Sequence, residues 1–251
     1  MRDITELTHS QSMRYSRHVM LPQLSFEGQE RILASKVVVI GAGGLGCAAL
    51  PYLASSGVGH LVVADHDHIE THNLQRQTLF SEADVGRFKA VAAQERLQAL
   101  NPEPHIDAFT CKVDPLWLEQ HLQDADAVLD CTDNLATRLL INSACVRHRV
   151  PLISGAAIRF EGQVISFLNT AESPCYGCMS RYFGEQELSC MEAGIFAPLV
   201  AIIGNLQALD ALKLIAGLPV ESGQLTLFDG LSSEWQQLKV PKHPACDICR
   251  A

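Results

Sequence analysis

The chain has 251 residues, 47% of them hydrophobic and 19% charged, which is enough apolar material for one large core that folds without outside help. A formal net charge of -9 excludes binding nucleic acid through a general phosphate-attracting surface, because that needs an excess of lysine and arginine. Residues 1–10 mix charged and polar side chains and lack an apolar core, so no secretory signal and a cytoplasmic location are expected. Nine cysteines in a reducing compartment then point to metal ligation or reactivity rather than a disulfide framework.

In chain order, the first strong element is the β-branched run 36–40, followed by a helix from about Gly44, a strand at 61–65, a helix near 90–100 and a strand at 127–130. This alternation reads as βαβ units building a parallel sheet, and a helix over 135–147 with a strand at 151–154 continues it. Beyond that point 163–167, 225–228 and 234–240 read as strands without a regular helix between each pair. The expected fold is therefore α/β: a Rossmann-like, mostly parallel sheet extended by antiparallel strands. The stretch 195–217 is apolar over a span-like length, but Pro198, Asn205, Gln207, Asp210 and Lys213 interrupt it. A buried core or dimer helix is expected there, and no membrane partner. With no repeat or low-complexity linker, the chain reads as one unit over 1–251, with a nucleotide-binding half to about 150 and a partner-binding half from about 151.

Gly41-Ala42-Gly43-Gly44-Leu45-Gly46 follows the first strand directly and opens a helix, the context a phosphate-binding fingerprint requires. Glycines let the backbone approach phosphate oxygens, and free amides at the helix start carry partial positive charge. Asp65, at the end of the next strand, suits a ribose hydroxyl. These features alone fit a nicotinamide or flavin oxidoreductase first. His72-Asn73-Leu74-Gln75-Arg76-Gln77 and then Lys89 add a guanidinium, an ammonium and amides, which lean towards ATP, whose triphosphate carries more charge to match. Asp130-Cys131-Thr132-Asp133-Asn134 follows the strand at 127–130. Asp133 there is placed to hold Mg2+ on the phosphates, with a helix cap by Asp133 or Asn134 as the alternative.

Cys175-x-x-Cys178 and Cys246-x-x-Cys249 supply two thiolate pairs, and four thiolates make a closed structural Zn2+ site. Such a site contributes about 10 to 16 kcal/mol in small peptides and would staple the last cysteines onto a distant loop. Cys47, Cys111, Cys131 and Cys145 read as buried small hydrophobes. Cys190 lies in a polar segment where a thiol can be exposed and reactive, although its acidic neighbours work against a thiolate.

Together, the glycine loop, NLQRQ at 73–77, Lys89, DCTDN at 130–134 and both cysteine pairs resemble the MoeB/ThiF group of E1-like adenylyltransferases over residues 13–250. The segments 154–163 and 175–198 look closer to the molybdopterin-synthase branch than to the thiamine branch. The resemblance implies a homodimer in which ATP and the C-terminal Gly-Gly tail of a small ubiquitin-like sulfur carrier react to an acyl-adenylate and pyrophosphate. By the same likeness, Gly44, Asp65, Asn73, Arg76, Lys89, Asp133 and Asn134 line the nucleotide site. Arg14 reaches into the partner subunit's site, and Cys190 aligns with a loop cysteine that forms covalent intermediates in some relatives. No rhodanese-like domain is read in the chain, so a separate persulfide sulfur donor is expected. An oxidoreductase and a non-catalytic zinc scaffold are the readings from other classes. One departure is Pro51, which is expected to kink or shorten the helix after the glycine loop.

Overall fold

Helices α1 (His9–Arg14), α2 (Ser16–Val19) and α3 (Ser25–Ala34) lead into strand β1 (Lys36–Ile40) in the computed structural model. The structure describes residues 6–182 and 193–250. The order continues through α4 (Gly44–Ser55), β2 (His60–Ala64), α5 (Lys89–Leu100), β3 (His105–Phe109), α6 (Pro115–Leu122), β4 (Ala127–Asp130), α7 (Leu135–His148) and β5 (Leu152–Ile158). It ends with β6 (Glu161–Phe167), α8 (Tyr176–Ser180), α9 (Ala197–Ile215), β7 (Gln224–Asp229) and β8 (Glu234–Lys239).

The strands form one eight-stranded sheet in the order β3-β2-β1-β4-β5-β6-β7-β8. Pairing is parallel from β3 through β5 and antiparallel from β5 through β8. All five residues of β1 are buried, as a strand covered on both faces must be, which is why it reads as an unbroken apolar run after Lys36. Val37 and Val39 turn to one side, against α4, α5 and α9, while Val38 and Ile40 turn to the other, against α6 and α7. The chain leaves β1 for β2 on one side and returns to β4 on the other. The carboxyl ends of β1 and β4 therefore flank the crevice where open α/β sheets bind ligands.

The antiparallel extension is where the sequence placed it. Besides the N-terminal helices α1 to α3 and the short α8, strand β3 and helix α6 were not anticipated. Strand β3 escapes notice because His105 and Asp107 interrupt its apolar pattern at the edge of the sheet. Helix α6 does carry start signals: Asp114 caps it by accepting from the Trp117 amide at 2.7 Å, and Pro115 sits in its first turn. Helix α4 runs on through Pro51 to Ser55, so the proline does not shorten it. It packs directly beneath α9, where a Cβ at Gly204 would lie 2.4 Å from the Leu45 carbonyl oxygen. Helix α9 is long and apolar enough to cross a membrane by length and composition alone, yet it buries Leu199, Val200, Ile203, Gly204, Gln207, Ala208 and Ala211 against the rest of the fold. Cys47, Cys131 and Cys145 are buried as expected, whereas Cys111 is exposed in the loop between β3 and α6.

Candidate nucleotide and metal sites

Gly41 takes a φ of 97°, and a Cβ there would meet the Cys131 carbonyl at 2.6 Å. The glycine loop thus lies against the loop that follows β4. Gly46 is equally constrained, since its Cβ would sit 2.0 Å from the Gly41 oxygen. Gly43 caps α4 with extended backbone and has open space beside it: the nearest atom to a Cβ is Gln77 Nε2 at 3.8 Å. Gly44 begins α4 against Val200. The first turn of α4 therefore presents its free amides at the crevice with nothing packed over Gly43.

Asp65 is buried and accepts from the Ala42 amide at 2.7 Å and the Asp67 amide at 2.8 Å. It shapes the glycine loop, a role that spacing alone does not reveal. Burial raises its carboxyl above the ordinary value, while Lys89 and the two amides oppose that shift. Lys89, the first residue of α5, is buried and donates to Asp67 Oδ2 at 2.8 Å. Burial works against charge on Asp67, but the Lys89 ammonium outweighs it and holds that carboxyl below its usual range. Asp67, absent from the sequence reading, is thus what keeps a cation beside the loop.

The segment after β2 divides its roles. Asn73 is buried in a single 3-10 turn and accepts from the Glu70 amide at 3.2 Å. His72 pairs with Glu70 at the surface, Leu74 packs on the core and Gln75 is exposed. Arg76 folds back on the His72 carbonyl at 3.1 Å with no carboxylate partner among the described contacts. The buried carbonyl oxygen of Gln77 has no hydrogen-bond partner. An unpaired buried acceptor is costly, and this one belongs to the side chain whose Nε2 is the nearest atom to the open face of Gly43.

At the end of β4, Asn134 is the residue that caps α7, accepting from the Thr137 amide at 2.9 Å. Asp133 is left exposed, its Oδ1 only 3.5 Å from the Asn134 amide nitrogen. Beneath it Asp130 is fully buried and accepts from Thr132 Oγ1 at 2.6 Å, the Thr132 amide at 3.0 Å and Ser154 Oγ at 2.8 Å. Arg138 donates to the Thr132 carbonyl at 2.6 Å. Burial pulls its guanidinium pKa down, but Asp130 and Tyr176 raise it overall. Gln207 of α9 completes the support by donating to the Asp130 carbonyl at 2.8 Å and the Ile153 carbonyl at 3.1 Å. None of Ser154, Arg138 and Gln207 is recognisable as support from sequence, because each reaches the loop only through the fold.

Arg14 is exposed and far from this crevice. The next residue, Tyr15, packs on Gly57 beyond the C-terminal end of α4, and its hydroxyl donates to Glu103 at 3.0 Å. The 12 residues of α4 separate that point from the glycine loop by about 18 Å of helix. Cys190 lies outside the described residues.

The four cysteines do come together. Cys175 and Cys246 sulfurs are 3.7 Å apart and Cys178 and Cys249 sulfurs 3.5 Å, with all four within 4.8 Å of one another. These separations are far beyond a disulfide bond of about 2.05 Å, and close to the roughly 3.8 Å edge of a tetrahedron with 2.3 Å metal–sulfur bonds. A Cβ at Gly177 would fall 3.5 Å from Cys175 Sγ and 3.6 Å from Cys246 Sγ. The donor set fits zinc. Burial raises the Cys175 thiol to about 11. Burial also opposes ionisation of Cys246, but the Cys249 and Ile248 amides bring it down to about 7, as a ligand thiolate requires.

An open α/β sheet with free helix amides at its switch point, a caged lysine and an exposed carboxylate fits a nucleotide-using enzyme. The ThiF family model matches residues 15–248. Molybdopterin-synthase adenylyltransferase of Escherichia coli strain K12 is 43% identical over 98% of this chain and 99% of its own length. The sulfur carrier protein ThiS adenylyltransferase of the same strain is 44% identical over 94% of each. Among solved structures, E. coli MccB with ATP superposes with a TM-score of 0.82 at 25% identity, covering 94% of this chain and 73% of that one. The chain therefore belongs to the ThiF family and is an adenylyltransferase.

Proposed function

We propose that this enzyme uses Mg-ATP to adenylate the C-terminal Gly-Gly carboxylate of a small ubiquitin-like sulfur carrier, the small subunit of molybdopterin synthase, in molybdenum cofactor biosynthesis. The observation that carries the reading is the division of labour after β4. Asn134 takes the helix cap, which leaves Asp133 an exposed carboxylate at the crevice beside the glycine loop. A hard oxygen ligand there suits Mg2+, which Asp133 would hold and which would neutralise phosphate charge.

In this reading the α4 amides and the open face of Gly43 hold phosphate, and Asp65 and Asn73 face the nucleoside. Lys89 and Arg76 stabilise charge on the departing pyrophosphate. The carrier's carboxylate is already ionised at neutral pH, its pKa being near 3.5, so no general base is needed. Positioning it in line with the α-phosphate replaces a bimolecular encounter. Arg14, some 18 Å of helix away from the cradle of its own chain, serves the neighbouring subunit of a homodimer. Zinc at Cys175, Cys178, Cys246 and Cys249 has a structural role. A separate persulfide donor would supply sulfur after adenylation, and the enzyme would act in the cytoplasm.

The near-equal identities to the two E. coli relatives favour one alternative substrate, the thiamine-pathway carrier. ATP–pyrophosphate exchange with Mg2+ separates them when run with a molybdopterin-type carrier, a thiamine-type carrier and no carrier. Exchange with the first alone is expected. Exchange with the second alone would move the enzyme to the thiamine branch, and exchange with neither, in zinc-loaded protein, would overturn the reading.

A further inference from the structure

At the opposite end of the parallel strands from the glycine loop, His60 opens β2 and His105 opens β3, and the register pairs them directly. Side chains two apart on a strand share a face, so Asp107 joins the two imidazoles on one side. The three converge. His60 Nε2 lies 2.9 Å from Asp107 Oδ2 and His105 Nε2 lies 3.1 Å from Asp107 Oδ1. The ring centroids are 4.9 Å apart, and all three donor atoms fall within 4.8 Å of one another.

We propose that His60, His105 and Asp107 form a second metal site, for a divalent first-row transition ion such as zinc or nickel, separate from the four-cysteine cluster. Bonds of 2.0–2.2 Å in a tetrahedron put neighbouring donors roughly 3.3 Å apart, so the two nitrogen–oxygen separations need adjust by only a few tenths of an ångström, and the two nitrogens, within 4.8 Å, would close towards one carboxylate oxygen. Two imidazoles with one carboxylate select zinc, nickel, copper or iron over magnesium or calcium, which take oxygen ligands. The partial exposure of the group leaves room for water to complete the shell. The ligands come from two adjacent strands, so the ion would clip the edge strand β3 to β2. Its effect reaches further, because Glu103, two residues before His105, holds the Tyr15 hydroxyl next to Arg14.

The test is calorimetric titration of untagged full-length protein carrying one zinc per chain, the complement of the four-cysteine cluster, with Ni2+ and, separately, Mg2+. Wild type is compared with His60→Gln, His105→Gln, Asp107→Asn and the triple variant. Wild type should take up one further equivalent of nickel and none of magnesium at this site. Each single change should weaken it at least about tenfold, the lower end of what disturbing a metal site's surroundings costs, and the triple change should remove it. Hydrogen exchange gives an independent readout: nickel should slow β3 amides in wild type and leave them unchanged in the triple variant. Asp107→Asn keeps the side-chain shape, so it remains informative if a histidine variant folds poorly. A further equivalent that persists in the triple variant, or no further equivalent in wild type, overturns the site.

Discussion

The cysteine cluster and the crevice at the end of β4 are both built from residues distant in sequence, but they are finished to different degrees. Cys175, Cys178 and Cys246 are buried, their sulfurs already at the spacing of a bound ion. Around the glycine loop, by contrast, Arg76 and Asp133 have no ionic partner among the described contacts, and Gln77 keeps a buried oxygen unpaired. A structural metal joins when the chain folds, so its ligands are drawn together by packing. A substrate arrives and leaves at every turnover, so its charges are placed and held apart by the frame around them. That frame is itself bonded together beneath Asp133: Ser154 and Gln207 donate to Asp130, and Arg138 donates to the Thr132 carbonyl.

The sharpest way to break the comparison is Asp133→Ala. Because Asp133 contributes to no helix cap, the variant should unfold within about 0.5 kcal/mol of wild type and lose at least about 1000-fold in carrier-dependent pyrophosphate exchange. Exchange kept within tenfold would remove Asp133 from the chemistry. Cys178→Ser should do the reverse, lowering zinc content and destabilising by about 3 kcal/mol in urea unfolding, a loss shared by the whole fold. Unchanged zinc stoichiometry by elemental analysis would rule out the four-thiolate site.

Asp84 sharpens the contrast at smaller amplitude, being an acid whose partners are all internal. Ser81 donates to it from hydroxyl and amide, and Arg96 and Arg87 pair with it at 2.9 and 3.1 Å. Hydrogen bonds from Ser81, then Arg96, depress its pKa. A depressed carboxyl contributes stability above its unfolded pKa of about 3.9 and loses it as the pH falls towards the folded value. Asp84→Asn should therefore cost about 2 kcal/mol at pH 7 and pH 5 and progressively less below about pH 4. A penalty of the same size at pH 3 would mean that shape, not charge, matters at Asp84.

Much of this was legible in the sequence because it is local. The unbroken apolar run of β1, the glycines after it and the paired cysteines each state their constraint within a few residues. Register and long-range support are different. The pairing of His60 with His105 depends on β3, whose polar residues hide it, and Arg138 looks like any helical arginine until the fold lays it under Thr132. The choice between Asp133 and Asn134 as cap was open for a similar reason. Both residues can cap a helix, and only backbone geometry decides which does.

The spacing of the cysteine pairs also has a consequence in time. Cys175 and Cys246 are 71 residues apart, and β7 and β8 lie between them in the chain. At ribosomal speeds of roughly 5–20 residues per second, about 4 to 14 seconds pass between synthesis of the first pair and the second. During that interval two thiolates are present and two are not, while both intervening strands emerge and can pair. An ion held by all four sulfurs could therefore close only after both of these strands have been made.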